Sequence, residues 1–488
     1  MAPSAAFDVL VLGGGTAGCV VASRLSEERG RSVCLVEAGP DYGPFGPGAE
    51  AAWPADMFDG RMPADSHDWS DGESTLSAAR IIGGCSSHNA CAIMRGAPED
   101  YDEWRGAGWS ADRIAPYLDR AQAVLAPEFA GDETMNPWFA AVCEAATDLG
   151  LPVHDDLYAP GVTEGVGRMR LNLRGKVRWN AAFAYLDPAR ARPNLTVLAE
   201  TLVDRVLLDG GRATGAAVIG PDGAAELRAP LVVLTAGAYG SPAVLLRSGV
   251  GPEGELARHD IAVEAPLPVG ERLEDQFGIA VRFAPTERMA ALMAESKCSA
   301  LSGLSKIRSS LAPDGLWDLM LLPATFPASG SFDDPGGGFV LSSSSMLMRP
   351  AWRGTVRLRD RDPRRLPEVT ELSLAHGDDL ERAMEGVELA RRLAAATDGL
   401  VEEELAPGAT ATGSDIAARG RDALSAYFHP VGTCPMGAVV DGDGRVNGLE
   451  GLVIADGSII PSIPRAGTYL TILALADALS ERLAAAGD

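Results

Sequence analysis

The sequence lacks three features that would each point to a particular class of protein: an excess of positive charge, paired cysteine motifs and a long hydrophobic run. Its formal net charge is −25 at pH 7. Because proteins bind polyanions largely through clustered lysine and arginine, this charge argues against a nucleic-acid partner. A hydrophobic fraction of 46% nevertheless indicates a globular chain with a sizeable core.

The seven cysteines are odd in number and scattered, without CxxC spacing or paired histidines at metal-ligand intervals. We therefore expect small buried thiols in a reducing compartment and no metal site. An apolar strand is predicted from Phe7 onward, which leaves no room for a secretory signal before it. The apolar run 469–476 is too short to span a bilayer. The sequence thus predicts a cytoplasmic protein without a membrane span.

The first forty residues follow the order strand, glycine turn, helix and strand. FDVLVL and SVCLVE are short apolar runs, and TAGCVVASRLSEE between them has helical spacing. Gly13, Gly15 and Gly18 form a GxGxxG pattern, which permits a tight turn, close approach to a pyrophosphate and close packing of the helix. Glu37 ends the second run, where a carboxylate can accept hydrogen bonds from ribose hydroxyls. This unit predicts a dinucleotide site, for either FAD or NAD.

A second glycine-rich block, RIIGGCSSHNACAIMRGAPEDYDEW, covers residues 80–104. It places His88 and Asn89 after Gly83 and Gly84, a turn of the kind that lets the backbone approach a flat ring. The block therefore indicates a flavin site. Elsewhere the pattern predicts helices and strands around a separate middle layer: helices over 109–125, 137–149 and 378–397, strands over 195–218 with a turn at Gly210 and Gly211, a buried strand over 229–236, and irregular strands over 282–413.

Four blocks in this order resemble the glucose–methanol–choline (GMC) family of flavoprotein oxidoreductases, and the resemblance spans nearly the whole chain. The blocks are GGGTAG with Glu37, residues 80–104, GAYGSPAVLLRSGVG, and FHPVGTCPMG with ADGSIIP. The resemblance implies an α/β fold in which a Rossmann-like FAD-binding domain is interleaved with an α+β substrate-binding domain. The expected FAD-binding segments are 1–155, 195–277 and 427–488, and the substrate-binding segments are 156–194 and 278–426.

The same resemblance implies FAD rather than a free nicotinamide as the cofactor. The residues expected to bind FAD are Gly13, Gly15, Thr16, Ala17, Gly18, Glu37, Ala38, Arg80, Gly83, Gly84, Ser87, His88, Asn89, Ala90, Ala92, Val203, Asp456, Gly457 and Thr471. The motif GGCSSHN is most similar to that of the choline oxidase branch of the family, in which the histidine matching His88 is bonded covalently to the flavin 8α-methyl group. The alternative is that His88 only hydrogen-bonds the cofactor or the backbone.

Oxidation of an alcohol by hydride transfer to flavin N5 requires loss of the hydroxyl proton, a step that suits a histidine. By the resemblance, His429 in HPVGT is the catalytic base, and Tyr427 and Phe428 are the substrate contacts. The family's second catalytic side chain falls at Gly467 when the chain is aligned on Thr471, and Tyr469 is the nearest group able to replace it. A phenol can donate to an alkoxide but cannot act as a base at neutral pH.

Departures from the choline oxidase pattern concern the substrate. That branch holds a quaternary ammonium with a carboxylate and an aromatic cage. Here Gly278 has no acidic side chain, residues 295–300 lack the expected tryptophans, and Ala90 replaces a serine near flavin N5. The sequence therefore predicts that a small neutral primary or secondary alcohol is oxidised to an aldehyde or a ketone.

The electron acceptor and the assembly stay open at this stage. A protonated histidine beside reduced flavin favours O₂ as the acceptor, whereas tight packing by Tyr427 or Tyr469 over the ring would exclude it. We predict an oxidase; a dehydrogenase with a quinone-type acceptor and a hydroxynitrile lyase of the same fold are the alternatives. A homodimer is compatible with the sequence, and the loop 39–72 is a candidate lid.

Overall fold

The computed structural model describes residues 5–70, 77–296, 298–329 and 337–486, so the last two residues of the loop 39–72 lie outside the described ranges. Within those ranges, no helix has both the length and the apolar character needed to cross a bilayer. Five of the seven cysteines are buried, as expected, whereas Cys143 is partly buried and Cys85 is exposed. The expectation of buried thiols is therefore wrong for Cys85.

Five parallel strands form the sheet that positions the dinucleotide turn. Their spatial order is Leu195–Leu198, Val33–Val36, Val9–Leu12, Leu231–Leu234 and Leu452–Ile454. Val9 pairs with Val33 on one side and Leu231 on the other. Apart from the edge strand Leu195–Leu198, all strands of this sheet are buried at every position, which is typical of a parallel sheet covered on both faces. The predicted strand–turn–helix–strand unit and the Rossmann-like fold class are confirmed.

The helices of this half pack around the C-terminal helix Tyr469–Ala486, which contacts both Thr16–Leu25 and Ala111–Leu125. Asp477 on the C-terminal helix is buried and pairs with Arg24 at 2.7 Å and with Arg120 at 2.5 Å. A buried carboxylate is strongly unfavourable unless it is paired, so these two arginines fix the relative positions of the three helices.

The predicted helices are present with slightly shorter bounds. The first begins after Ser110, whose hydroxyl accepts from the Arg113 amide. The second, Pro137–Asp148, is capped by Asn136, and the third runs over Asp379–Ala395. The remaining helices are Ala49–Ala52, Ala55–Phe58, Pro98–Asp102, Gly237–Arg247, Glu253–Arg258, Glu287–Glu295 and Gly413–Arg419.

A second, antiparallel sheet forms the middle layer. Its strands are Phe277–Ile279, Arg282–Pro285, Leu319–Pro327, Phe339–Leu347, Val401–Ala406 and Leu424–Ala426. The helix Asp379–Ala395 packs on its central strand Phe339–Leu347. A Cβ atom added at Gly386 would lie 2.0 Å from Ser345 Oγ, so the glycine is what lets this helix approach the sheet.

A further, mixed sheet contains the antiparallel hairpin strands Leu202–Asp209, Arg212–Gly220 and Gly223–Arg228 and the short strand Ala5–Ala6, which pairs in parallel with the last of them. Its first hairpin turns at Gly210 and Gly211, with φ of 56° and 80°. Both values lie in the left-handed region that a tight hairpin requires, so the predicted turn is confirmed. Short strands complete the fold: Ala92–Ile93, Glu128–Phe129, Val153–His154, Gly165–Arg168, Arg170–Leu171, Leu173–Arg174, Val177–Arg178, Gly303–Lys306, Val356–Arg357 and Glu368–Val369.

The buried apolar residues form three clusters. The largest surrounds the parallel sheet, and the second lies at the antiparallel sheet. The third, here called the methionine cluster, contains Met94, Met169, Met320, Met346 and Met348, with Ala90, Ala92, Tyr158, Trp317, Tyr427 and Ala466 among its other members. Residues 179–186 pack in the first cluster, although they belong to the predicted substrate-binding segment 156–194. The exact domain boundaries stay a prediction.

Candidate active site

The glycine turn after the first parallel strand has the geometry of a dinucleotide site. Gly13 adopts a φ of 113°, and a Cβ atom added at Gly18 would lie 1.8 Å from the Gly13 carbonyl oxygen. The N-terminus of the helix that begins at Thr16 is therefore in close contact with the end of the first strand. Its N-terminal amides, which include those of Thr16 and Ala17, have no side-chain cap. Uncapped amides at a helix N-terminus bind phosphate groups.

Glu37 ends the neighbouring strand beside this turn. Its carboxylate accepts hydrogen bonds from the Gly14 amide at 2.8 Å and the Gly39 amide at 2.7 Å. Burial raises the pKa of Glu37 to about 7. Each carboxylate oxygen keeps a second lone pair, so the group can still accept from ribose hydroxyls as predicted.

The outer end of the same region contains the other predicted nucleotide contacts. Arg80 Nε donates to the Ala38 carbonyl at 3.0 Å, and Val203 is buried near the strand edge. A surface cavity of about 390 Å³ lies here, lined by Arg80, Glu200, Leu202, Ile219, Gly220, Pro221 and Arg364. The structure thus places an open space beside the residues expected to hold the adenosine end.

The second glycine block folds directly over the first. The Gly83 amide donates to the Gly14 carbonyl at 2.8 Å, and a Cβ atom added at Gly84 would lie 2.7 Å from Gly15 Cα. Gly83 and Gly84 have φ of 86° and 54°, which favours glycine at both positions. Ser87 Oγ donates to the Ile82 carbonyl and stabilises this turn. The two motifs, far apart in the chain, therefore form one backbone cradle.

His88 and Asn89 leave this turn with their side chains held by backbone groups. His88 Nε2 hydrogen-bonds the Ser66 carbonyl, and burial lowers the pKa of the ring. Since Ser66 O only accepts, Nε2 carries the proton and the lone pair is on Nδ1. Asn89 Oδ1 accepts from the Cys91 amide, which leaves its NH₂ group as the donor expected toward a flavin carbonyl.

The remaining part of the cradle is formed by residues that follow the strands Leu231–Leu234 and Leu452–Ile454. Asp456 is buried and accepts from the Gly237 amide, the Ser241 hydroxyl and the Ser458 amide, with the shortest contact 2.6 Å. Burial raises its pKa. Gly457 is buried beside it, and the Ser458 hydroxyl has no hydrogen-bond partner among the described residues. Thr471 Oγ1 lies 3.0 Å from the Tyr101 hydroxyl.

These observations test whether the residues fit FAD. Uncapped helix amides, a carboxylate at the adjacent strand end, two facing glycine turns without side chains and an unpartnered buried serine hydroxyl together suit a dinucleotide with a flat ring. The residues present therefore fit the cofactor that the motifs imply.

His429 is held in one tautomer by a network that extends from Gln276. Gln276 Nε2 donates to the carbonyls of Met348 and Pro464, each at 2.9 Å, so its Oε1 faces the histidine. Nδ1 of His429 lies 2.7 Å from this oxygen and must be the donor. The neutral imidazole consequently has its lone pair on Nε2.

The surroundings of His429 keep the ring uncharged. Burial lowers its pKa to about 4, and the backbone amide of His429 donates to Asp275 Oδ1 at 2.7 Å. Asp275 also accepts from the Gln276 amide, and burial raises the pKa of Asp275 to about 7. At neutral pH, His429 is therefore a free base with a fixed orientation.

The free Nε2 atom faces Gly467. A Cβ atom added there would lie 3.4 Å from both Nε2 and Cε1 of His429 and 3.4 Å from Met94 Sδ. The position at which the family has its second catalytic side chain thus contacts the base, as the alignment on Thr471 predicted, but glycine leaves that space open. The Gly467 amide is oriented toward Met94 Sδ at 3.3 Å.

The two aromatic residues before His429 have different surroundings. The ring of Tyr427 is 4.3 Å from the imidazole, and its hydroxyl contacts the sulfur atoms of Met320 at 3.5 Å and Met94 at 3.9 Å. Phe428 has a φ of 61° and is 56% exposed. Tyr427 therefore forms a wall beside the base, in the methionine cluster that also contacts Ala90 and Ala92, while Phe428 faces solvent.

Tyr469 begins the C-terminal helix with a buried hydroxyl that has no hydrogen-bond partner among the described residues. Burial raises its pKa well above the ordinary value, and nearby Tyr185, Cys91 and Cys19 add to this effect. These neighbours belong to the cofactor side of the site. A catalytic role for Tyr469 stays a prediction.

Sequence reasoning missed the role of Gln276 and Asp275, which orient the base. Neither residue was among the predicted site residues. Their position directly before Phe277–Ile279, the strand that pairs with Leu424–Ala426, was the available signal. That pairing brings residues 275 and 276 beside 427–429.

A flat-ring dinucleotide cradle that opens onto a neutral, oriented imidazole defines a flavin-dependent oxidoreductase. Models of the GMC oxidoreductase family match residues 7–277 and 350–476. The chain therefore belongs to the GMC oxidoreductase family, whose members bind FAD and act on CH–OH donors. The predicted family, fold and cofactor are confirmed.

Individual relatives are similar along their full length. Oxygen-dependent choline dehydrogenase of Ectopseudomonas mendocina (strain ymp) is 32% identical, with 98% of this chain and 94% of the relative covered. The solved structure of pyridoxine 4-oxidase from Mesorbium loti is 27% identical, has a TM-score of 0.82 and covers 98% of this chain and 99% of that chain. A formate oxidase structure, 22% identical with a TM-score of 0.84 over 99% of each chain, has the same fold.

Proposed function

We propose that this protein oxidises a small neutral primary or secondary alcohol to an aldehyde or ketone, with His429 as the catalytic base and O₂ as the electron acceptor. The observation that supports this most directly is the single tautomer of His429. Its Nδ1–H donates a hydrogen bond to Gln276 Oε1, and its Nε2 lone pair faces Gly467.

His429 would take the hydroxyl proton of the alcohol at Nε2. The positive charge that then develops on the ring is stabilised by the Gln276 Oε1 acceptor on Nδ1, which needs no rearrangement. FAD, when bound, supplies the hydride acceptor at N5 and returns the electrons to O₂. The open space at Gly467 leaves room for the carbinol beside the base.

A neutral substrate is supported by the absence of a carboxylate where the choline oxidase branch holds its cation. A Cβ atom added at Gly278 would lie 1.8 Å from the Ser345 carbonyl oxygen, so no acidic side chain fits there. The near wall is formed instead by Met94, Met320 and the Tyr427 ring. Soft apolar side chains of this kind suit uncharged alkyl or aryl groups.

O₂ as the acceptor is supported by the names of relatives, an oxygen-dependent choline dehydrogenase and a pyridoxine 4-oxidase. The direct test is anaerobic mixing of the FAD-loaded protein with aliphatic and aryl alcohols, with choline as the cationic comparison. We expect neutral alcohols to bleach the flavin and O₂ to restore its colour with formation of H₂O₂. A flavin that stays yellow with every alcohol would remove the proposal and favour a lyase.

Covalent attachment of FAD through His88 is a separate part of the proposal. It is supported by the hydrogen bond of Nε2 to Ser66, which leaves the lone pair on Nδ1, and by the lowered pKa of the ring, which keeps the imidazole unprotonated and nucleophilic. Acid denaturation followed by centrifugation separates the outcomes. Yellow colour in the pellet is expected, and its appearance in the supernatant, as expected for His88→Ala, would show a noncovalent cofactor.

A further inference from the structure

A buried lysine lies behind the wall of the proposed substrate space. Lys306 ends the strand Gly303–Lys306 and is only 3% exposed. Its Nζ donates to the Val162 carbonyl at 2.8 Å and forms no ion pair with any residue in the described ranges. The Asp156 carboxylate acts on this amine only from beyond ion-pair distance, and a buried charged amine without a directly paired anion is unfavourable.

Two aromatic side chains surround the amine and bring further unused donors. Nζ lies 4.3 Å from the ring centre of Trp317 and 4.5 Å from that of Tyr158. The Trp317 Nε1–H group and the Tyr158 hydroxyl are both buried, and neither has a hydrogen-bond partner in the part of the chain that is described. Because an unpaired buried donor is unfavourable, this group is suited to an acceptor that the described residues do not supply.

The donor group is connected to the base through Tyr427. Tyr158, Trp317 and Tyr427 belong to the methionine cluster, and Tyr158 is close enough to Tyr427 for the two phenols to affect each other's pKa. Tyr427 in turn packs against the His429 ring at 4.3 Å. The Lys306 group and the base are therefore connected through side chains of the methionine cluster, with Tyr427 next to the base.

We infer that Lys306, Trp317 and Tyr158 form a subsite that binds a hydrogen-bond acceptor on the end of the substrate distant from its hydroxyl. This rests on the proposed function. Burial lowers the pKa of Lys306 to about 8, so at neutral pH the amine is mostly protonated and can donate a charge-assisted hydrogen bond. A carbonyl or a carboxylate oxygen has the required chemistry, and neither a purely alkyl alcohol nor a quaternary ammonium has it.

The test compares three substituted benzyl alcohols, each with the substituent in the para or meta position: a carboxamide, a carboxylate and a methyl group. Flavin reduction by the wild type should show a KM at least about tenfold lower for the carboxamide or carboxylate than for the methyl compound. A lower KM for the carboxamide would identify a neutral acceptor, and a lower KM for the carboxylate would identify an anionic one. Lys306→Met should abolish the preference, and Trp317→Phe, which keeps the ring, should reduce it about threefold.

Lys176→Met is the matched control, because that amine is exposed and pairs with Glu50 at 3.2 Å. It should leave the preference unchanged. An equal KM for all three alcohols, or a preference that survives in Lys306→Met, would overturn the subsite while the proposed oxidation stands. If no alcohol reduces the flavin, the proposed function fails, and binding of the corresponding aldehydes, followed by flavin absorbance, still decides whether the acceptor preference depends on Lys306.

Discussion

The nucleotide-binding region and the catalytic region both depend on glycine, but for opposite reasons. At Gly18 an added Cβ atom would lie 1.8 Å from the Gly13 carbonyl oxygen, which is part of the backbone and cannot move aside. At Gly467 an added Cβ atom would lie 3.4 Å from the His429 ring and Met94 Sδ, an ordinary contact distance. The first glycine is required by the fold, whereas an alanine side chain would fit at the second, where we propose that glycine leaves room for the substrate.

The comparison extends to the polar groups. In the nucleotide-binding region, Glu37 and Asp456 each follow a strand of the parallel sheet. Their carboxylates accept hydrogen bonds from backbone amides of the glycine turn and of residues just after the strands. In the catalytic region, His429 depends on Gln276, and Gln276 depends on carbonyls of Met348 and Pro464. The carboxylates of the nucleotide site are thus held mainly by backbone amides, and the base of the catalytic site by a side chain, although both sites join residues that are far apart in the chain.

The largest effect is expected for Gly18→Ala. The methyl group must push the first helix away from the strand, so we expect loss of bound FAD and of all activity. Gly30→Ala is the control, since an added Cβ atom there meets nothing within 4 Å. Flavin absorbance of the purified variants measures the result, and full FAD content in Gly18→Ala would contradict the comparison.

His429→Ala should come next, with FAD retained and the rate of anaerobic flavin reduction lowered by about 100-fold or more, because the general base is removed. The exposed His376 provides a control in His376→Ala, which should reduce flavin at the wild-type rate. An unaltered rate in His429→Ala would exclude the histidine from proton transfer.

Gln276→Leu tests whether orientation of the base matters separately from its presence. The variant keeps the imidazole but leaves Nδ1 without an acceptor, so both tautomers become accessible and the developing charge loses its partner. We expect flavin reduction to fall about tenfold with little change in KM. Gln276→Met, which also lacks the acceptor but has nearly the volume of glutamine, should lose as much of the rate; a wild-type rate in Gln276→Met would show that the loss in Gln276→Leu is only a packing defect.

Gly467→Ala should have a modest effect, with normal FAD content and a decrease of about threefold in kcat/KM for small alcohols. The methyl group fits beside Nε2 but narrows the space for the carbinol. Steady-state kinetics measure kcat/KM, and flavin absorbance of the purified variant measures its FAD content. Loss of FAD comparable to that of Gly18→Ala would remove the distinction between the two glycines.

The smallest effect is expected from pH. The base acts in its neutral form, and burial lowers its pKa to about 4, so protonation removes activity only as the pH falls toward that value. In pH-jump experiments on Asp275→Asn, which lacks the neighbouring carboxyl with a pKa of about 7, the rate of flavin reduction should therefore change less than about twofold between pH 8 and 5.5, whereas an exposed histidine would be half protonated near pH 6.5. A decline centred on pH 6.5 would show that His429 is solvated.

Most of the nucleotide-binding half could be predicted from the sequence. The strand Val9–Leu12, the glycine turn, the helix Thr16–Leu25 and the strand Val33–Val36 are each encoded by neighbouring residues through apolar runs, helical spacing and glycine. His429 and Gly467 were located by motif and alignment. The Lys306 group and the role of Gln276 were not, because no local pattern distinguishes them from other polar residues in irregular strands.

By itself, the sequence determined the dinucleotide motif, the family and the cofactor, and it predicted His429 as the base, since these depend on glycine positions and motifs that lie within single segments. The tertiary structure alone decided which nitrogen of His429 is free, that Gly467 leaves space in front of it, and that Lys306 lies with two unused donors behind Tyr427. These properties arise from hydrogen bonds and contacts between residues such as Gln276, Met348, His429 and Pro464, which lie on different segments. Their donor and acceptor assignments exist only once those segments pack together.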